Sequence, residues 1–352
     1  MEDRKKILII LLAGIAFAIT PFVVHAQQIS PNPNTTNTGC LVVNTSTAYN
    51  LDNPYENSGT VCITDIGALT NNSGAVLNNS GGTVANSGTL TNLGYLANAG
   101  ALNNSGALLN NSGGTLANLG TLANLGYLTN SGTLANSGGY LENINGTLTN
   151  SGTLTNSGGY LENINGTLSN SGTLTNSGVL NNYSIITGTG NYIQTAGQTT
   201  NNGTLSQTLI DIRGGILSGN GTITGNVRVD RDGTVHPGNS PGVLTINGAY
   251  KNTGVLSIDM LNAAGGPRTG YSQLQVNGTD STLGGILQIN LFPDTVLNAG
   301  EKFDIFNAPG GYTGTFASIT GNGASLFAEE YTSTDVFLVV TRGLGPSSVP
   351  LH

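Results

Sequence analysis

A short repeated unit in the middle of the chain constrains the fold more than any other feature. From about residue 67 to 183 the sequence is a run of units of the form Gly-x-Leu-x-Asn-x, with six or seven residues in each. Residues 132–151 (GTLANSGGYLENINGTLTNS) are followed by a near copy at 152–171 (GTLTNSGGYLENINGTLSNS), so three units make a longer repeat of 20 residues. A fixed period of this length is typical of solenoids.

The unit length predicts an all-β fold, a three-sided parallel β-helix solenoid with about 20 residues per coil. A strand advances about 3.3 Å per residue, so one unit makes a short strand and a corner. Three such sides close a coil that stacks on its neighbours. A helix is excluded, because each glycine would cost about 1 kcal/mol in a helix interior.

The leucine of each unit is predicted to point into the core, while the flanking Thr, Ala or Glu face solvent. The predicted inward residues are Val84, Leu90, Leu96, Leu102, Leu109, Leu116, Leu122, Leu128, Leu134, Leu141, Leu148, Leu154, Leu161, Leu168, Leu174 and Leu180.

An asparagine that follows each leucine by two residues is the second fixed position. We expect it at the corners, because Asn tolerates left-handed backbone and stacked amides can hydrogen-bond from coil to coil. The glycine that follows is expected to supply a positive φ. The predicted ladder consists of Asn86, Asn92, Asn98, Asn118, Asn124, Asn130, Asn136, Asn143, Asn150, Asn156, Asn163, Asn170 and Asn176.

The composition disfavours most other classes of protein. Charged residues make up 8% of the chain, against about 25% in ordinary globular domains, which argues against helical bundles, nucleotide-binding α/β folds and coiled coils. The net charge of −8, with only 10 Lys and Arg, disfavours a nucleic-acid partner. A hydrophobic content of 37% disfavours disorder.

The N-terminus has the pattern of a signal peptide. Three basic residues at 4–6 precede an apolar run and a small-x-small ending at Ala26, which predicts export and cleavage after residue 26. Thr20 and Pro21 interrupt the apolar run, which favours cleavage over a retained membrane anchor. We expect no membrane span after cleavage.

Two cysteines remain after that cleavage, Cys40 and Cys62. In an exported protein they most simply form one disulfide, which would staple an N-terminal cap at residues 27–66. Neither a CxxC spacing nor a His/Cys cluster is present, so a redox or metal-binding role is disfavoured.

Beyond the regular repeat (67–184), residues 185–342 are predicted to form less regular coils. They contain three blocks, at 233–248 (GTVHPGNSPGVLTING), 270–279 (GYSQLQVNGT) and 283–291 (LGGILQINL). These blocks resemble the C-terminal part of autotransporter passenger domains over about residues 215–340, most specifically at 237–242. The upstream Asn-Ser-Gly repeats look like those of filamentous-haemagglutinin-like adhesins.

The resemblance implies a right-handed coil and a protein that is secreted or on the surface of a Gram-negative bacterium, with the periplasm as the alternative. An autotransporter passenger is followed by an outer-membrane barrel, but only about ten residues follow the last apolar strand here. We therefore expect either a truncated gene or a stand-alone β-helix that uses a separate exporter. Residues 343–352 are expected to be a disordered tail.

Two duplicated pairs are the first candidates for chemistry. Glu142 and Glu162 are the only charged residues in the repeat and are expected to lie one coil apart, facing solvent and repelling mildly. Tyr140 and Tyr160 have the same spacing and could stack or bind sugar rings. The duplicated unit accounts for both pairs without a function, so a structural role is favoured.

A polar cluster of Asp230, Asp232 and His236 is the remaining candidate. Its functional interpretation is a general-base site with His236 beside a carboxylate. A solvated corner before the turn at Pro237 is the favoured interpretation. The sequence predicts no catalytic residue, no metal site and no cofactor.

Long faces of Thr, Ser, Asn and Ala suit display and adhesion better than catalysis. The leading hypothesis is a non-enzymatic, secreted or surface-exposed β-helix of the adhesin or autotransporter-passenger type, with host matrix, a glycan or a second copy as its partner. The first alternative is a polysaccharide lyase or glycosidase, which needs carboxylates on one wall. The second is an extracellular matrix or surface-layer component, or an ice-binding face built from the repeated threonines.

Overall fold

The computed structural model describes residues 35–37, 40–44, 49–262, 265–293 and 295–345. The predicted signal peptide lies outside these residues, as do 346–352 of the predicted tail. Within the tail, Leu344 exchanges two backbone hydrogen bonds with Leu297, at 2.9 and 2.8 Å. No helix in the described part of the chain is both long and apolar enough to cross a membrane.

The described chain is a parallel β-solenoid with about 20 residues per turn and 63% strand, which confirms the predicted fold class. From β1 to β24, each strand pairs in parallel with the third strand after it, so the coil has three faces. The handedness of the coil stays a prediction.

Strands β1 to β12 are Thr35–Asn37, Cys40–Val43, Tyr49–Leu51, Tyr55–Asn57, Thr60–Ile63, Ala68–Asn71, Val76–Asn79, Thr83–Asn86, Thr89–Asn92, Tyr95–Asn98, Ala101–Asn104 and Ala107–Asn110. Strands β13 to β24 are Thr115–Asn118, Thr121–Asn124, Tyr127–Asn130, Thr133–Ser137, Tyr140–Ile144, Thr147–Asn150, Thr153–Ser157, Tyr160–Ile164, Thr167–Asn170, Thr173–Asn176, Val179–Asn182 and Ile185–Thr187. Strands β25 to β39 are Asn191–Gln194, Gln198–Asn201, Thr204–Gly219, Thr222–Pro237, Val243–Asn247, Tyr250–Asn252, Val255–Met260, Gln273–Val276, Ser281–Thr282, Ile286–Leu291, Lys302–Asn307, Tyr312–Thr313, Ser318–Thr320, Phe327–Tyr331 and Asp335–Val340.

Each face is one stack of strands. The first face starts with β1 and runs through every third strand to β25, the second starts with β2 and runs to β26, and the third starts with β3 and runs to β24. The long strands β27 and β28 bend around the corners, so that each contributes to all three faces. At the C-terminal end, β39 pairs antiparallel with β35 and β38, which ends the parallel stacking.

The core is a set of stacked aliphatic columns. Leu96 on β10, for example, lies between Leu77 and Leu116 of the adjacent coils, and all three side chains are fully buried. Full burial of a leucine contributes roughly 1.5–3 kcal/mol. The predicted inward positions are confirmed with one exception: in the segment ALLN of β12, Leu108 is buried and Leu109 points outward. The asparagine that ends the strand fixes this register, because the inward leucine precedes it by two residues.

The predicted asparagine ladder is present, and it is buried. Most of these Asn side chains donate from Nδ2 to the Oδ1 of the Asn one coil later, at 2.7–2.9 Å, as in the series Asn104, Asn124, Asn143 and Asn163. At the end of the regular coils, Asn170 and Asn176 donate instead to Gln207 and Thr199. The second N–H bonds a backbone carbonyl across the corner, as Asn124 does with Thr147 at 3.1 Å. The ladder also includes Asn57, Asn71, Asn79, Asn104, Asn110, Asn182 and Asn201.

The physical reasons predicted for the Asn and Gly positions are partly wrong. None of the ladder asparagines has a positive φ; the asparagines that do are Asn145 (55°) and Asn165 (52°), which lie outside the ladder. Most repeat glycines also have ordinary φ values. They are needed because the coils approach closely: a Cβ on Gly120 would lie 2.1 Å from the carbonyl oxygen of Gly100.

The two cysteines lie on neighbouring strands of the second face. Parallel pairing of β2 with β5 sets Cys40 opposite Thr60 and Cys62 opposite Val42. The cysteines are therefore offset by two residues along the strands. The side chain of Cys40 lies outside the described residues, and the disulfide stays a prediction.

Candidate functional site

The duplicated Tyr and Glu pairs lie side by side on the second face. Strands β17 and β20 pair in register, with Tyr140 opposite Tyr160 and Glu142 opposite Glu162, as predicted. The tyrosine rings stack with centroids 4.9 Å apart and an interplanar angle of 5°. Burial and the neighbouring Glu162 raise the pKa of Glu142. Asn181, one coil further on, donates to Oε1 of Glu162 at 2.8 Å.

This geometry favours a structural role for the tyrosine pair. A sugar ring packs against the face of an aromatic ring, but each tyrosine has turned one face to the other. One face of each ring is therefore unavailable to a ligand. The carboxylates of Glu142 and Glu162 lie on the same two strands and form a column of their own. The amide of Asn181 continues that column by one coil.

His236 has a carboxylate partner that the sequence did not indicate. Its Nε2 lies 2.9 Å from Oδ2 of Asp259, a side chain that is only 3% exposed. Nδ2 of Asn290 donates a hydrogen bond to Oδ1 of Asp259 at 3.0 Å. Burial alone would raise the pKa of Asp259, but hydrogen bonds from His236, Asn290 and Ser240 hold it below its usual value.

The other two members of the predicted cluster do not join this pair. Asp230 lies 3.5 Å from Nε of Arg228, and Asp232 is exposed beside the corner, opposite Gly214. His236 and Asp259 are separated by 23 residues, about one coil, and they meet because of the stacking of the coils. The register of the irregular coils would have been needed to predict that contact.

A second cluster of polar side chains, on the first face, was also not predicted from the sequence. Asp211 is 1% exposed and binds two guanidinium groups. Arg228 approaches with two nitrogens, Nε to Oδ1 at 2.9 Å and Nη2 to Oδ2 at 3.0 Å, and Nε of Arg213 reaches Oδ2 at 2.7 Å. The hydrogen bond and charge of Asp211 raise the pKa of Arg228. This arrangement fixes both arginines, whose side chains remain about half exposed.

An open hollow of about 490 Å³ lies next to Arg228 on the first face, with Lys251 also in its wall. A second hollow, of about 420 Å³, adjoins it and includes Thr282, Tyr312 and Thr313. Asp280 lines both hollows. Among the described residues, no three His, Cys, Asp or Glu side chains lie close enough together to hold a metal ion.

No protein-family model matches the sequence, and no curated protein matches it. The resemblance to autotransporter passengers therefore consists of the short motifs around residues 237–242 and a compatible β-solenoid fold.

Proposed function

We propose that this protein is a non-enzymatic β-helical protein that works outside the cell, secreted or on the surface, and that it acts by display and binding in the manner of an adhesin. The observation that carries this proposal is the absence of charge on two faces of the regular coils. Between β7 and β24, the first and third faces have no Asp, Glu, Lys or Arg among the described residues. Their outward positions are mostly Thr, Ala, Ser and Asn, with single tyrosines and aliphatic residues between them.

A face of this kind suits contact with another extended surface. Desolvating charged groups is the largest cost of burying a polar surface, and burying this face desolvates none. Short side chains such as Thr and Ala also lose little rotamer entropy when they become ordered. A glycan, a matrix protein or a second copy of the chain could therefore pack along several coils at once. Packing against a second copy of the chain corresponds to a matrix or surface-layer role.

The test is binding of the chain without residues 1–26 to immobilised matrix proteins, glycans and the chain itself. Thr155→Glu places a charge in the middle of the first face, and Ser137→Glu places the same charge at the exposed end of β16, on the edge of that face. We expect the first variant to weaken binding at least tenfold and the second to leave it within about twofold, with equal thermal stability. Binding to none of these surfaces, together with turnover of a polysaccharide, would overturn the proposal.

A polysaccharide-degrading enzyme is the second candidate, and the His236–Asp259 pair favours it. A buried carboxylate that orients a partly exposed histidine, here 24% exposed, is an arrangement used in general-base catalysis. This candidate requires that His236→Ala and Asp259→Asn abolish release of sugar ends from a polysaccharide, while Asp232→Asn leaves it unchanged. The binding proposal expects no release from the wild-type protein.

A further inference from the structure

The positive charges of this protein are concentrated in one part of the solenoid. Between Lys6 and Arg213 the sequence contains no lysine or arginine. Four of them then occur within 39 residues, at Arg213, Arg228, Arg231 and Lys251. In a chain with a net charge of −8, this is the region in which an anionic ligand would meet cations.

Arg228 is held in place before any ligand arrives. The buried carboxylate of Asp211 binds its guanidinium through two nitrogens, a bidentate geometry that fixes the plane of the group. Arg213 binds the same carboxylate, and the half-exposed Asp230 lies 3.5 Å from Nε of Arg228. The two arginines are therefore held among two carboxylates, and among the described residues Lys251 supplies the unpaired cation of the groove. Because the side chain of Arg228 is already ordered, binding through it costs little additional conformational entropy.

Lys251 continues the same column one coil further on. It lies directly opposite Arg228 in the parallel pairing of β28 with β30, about 4.8 Å away along the solenoid axis. Its side chain is exposed and forms no ion pair with the described residues. Both cations line the first hollow, and Gly248, Ala249 and Gly278 form part of its wall.

The next two coils replace the cations with hydroxyl groups. Thr282 lies opposite Lys251, and Thr313 opposite Thr282. Both line the second hollow, together with Tyr312 and the carboxylate of Asp280. The groove therefore has a cationic half and a half rich in hydroxyl and acceptor groups, in line along the axis. Each half has a volume within the usual range of small-ligand pockets.

We propose that this groove binds an anionic sugar unit of a glycan, with the acidic group at Arg228 and Lys251 and the hydroxyls of the sugar at Asp280 and Thr282. A carboxylate or sulfate matches the two cations. Asp280 accepts hydrogen bonds from hydroxyls but repels a second negative group nearby, which disfavours a densely charged polyphosphate chain. The inference names a ligand class for the binding function proposed above and rests on that function.

The experiment measures binding of the full chain without residues 1–26 to three oligosaccharides of equal length by calorimetry. One is neutral, one carries uronic acids and one carries sulfate. Lys251→Gln removes a groove cation from an exposed position, and Lys302→Gln removes the same charge at an exposed pair with Glu330, as the matched control. Adhesion of the same proteins to glycan-coated surfaces is measured in parallel.

We expect at least one acidic oligosaccharide to bind, more weakly at high salt, and the neutral one not to bind. Lys251→Gln should weaken that binding about tenfold or more, while Lys302→Gln stays within about twofold of the wild type. Equal binding of the neutral sugar, or no effect of Lys251→Gln, would overturn the inference. Adhesion without any oligosaccharide binding would overturn the inference about the groove and leave the proposed adhesive function standing. If neither adhesion nor oligosaccharide binding is observed, the inference and the proposed function are both wrong.

Discussion

The asparagine ladder makes a quantitative prediction, because the asparagine at its end lacks the hydrogen bond that an asparagine in its middle accepts. Asn124 accepts a bond from Asn104 and donates to Asn143 and to the carbonyl of Thr147. Asn86 begins the same ladder: it donates to Asn104 and to the carbonyl of Ala107, and its Oδ1 is buried without a partner.

Replacement by leucine, which has a similar size, therefore leaves different numbers of buried groups without a partner. Asn124→Leu leaves two such groups, an Nδ2 hydrogen of Asn104 and the Oδ1 of Asn143, because the carbonyl of Thr147 keeps its strand pairing. Asn86→Leu leaves one, the Oδ1 of Asn104, and it removes the buried Oδ1 of Asn86 that has no partner in the wild type. Each buried group without a partner costs about 1–3 kcal/mol. The apolar gain from leucine is common to both variants, and the net change is two more unpaired groups in Asn124→Leu and none in Asn86→Leu. Asn124→Leu should therefore be less stable than Asn86→Leu by about 2–6 kcal/mol.

The assay is urea unfolding followed by far-ultraviolet circular dichroism. Thr121→Ala and Thr83→Ala change outward residues on the same two strands and control for position along the solenoid. We expect these controls to agree within about 0.5 kcal/mol. Equal free energies of unfolding for the two leucine variants, or a less stable Asn86→Leu, would refute the account of the ladder.

Three carboxylates give further predictions, each measured as a urea midpoint against pH. Burial and Glu162 raise the pKa of Glu142, so the folded chain holds the carboxyl proton of Glu142 more tightly than the unfolded chain does. Ionised Glu142 therefore destabilises the fold, and Glu142→Gln should be more stable than the wild type at pH 7 and equal to it at about pH 3. Burial and then Asp335 raise the pKa of Asp304 to about 6, so the advantage of Asp304→Asn should grow between about pH 4 and 6 and stay constant above. The pKa of Asp259 is lowered, so its stabilisation is present above about pH 4 and is lost on acidification; Asp259→Asn should be less stable at pH 7, with a deficit that disappears at low pH. The opposite pH trend in any variant would contradict the environment assigned to that carboxylate.

The regular part of the fold could be predicted because its information is local. A leucine and an asparagine at fixed spacing define the inward positions of every side, so the columns and the pairing of Glu142 with Glu162 followed from the sequence. The error at Leu109 arose where two leucines are adjacent. The ladder asparagine at 110 resolves that ambiguity.

The candidate site could be predicted only in part, because its contacts depend on register between irregular coils. His236 was identified, but its partner Asp259 was not, since no repeat aligns the two. The ion pair between the buried Asp211 and the half-exposed Arg228 was also missed, because both residues occupy outward positions, where charged side chains are normally solvated. The role of the repeat glycines was also misjudged, because the clash at Gly120 involves a carbonyl one coil away.

Protease accessibility on intact cells, with a blot of the culture medium, tests most directly the claim that this protein works outside the cell. The account predicts that the chain is released to the medium or is digested on cells whose outer membrane is intact. A chain that is digested only after the outer membrane has been permeabilised would contradict it.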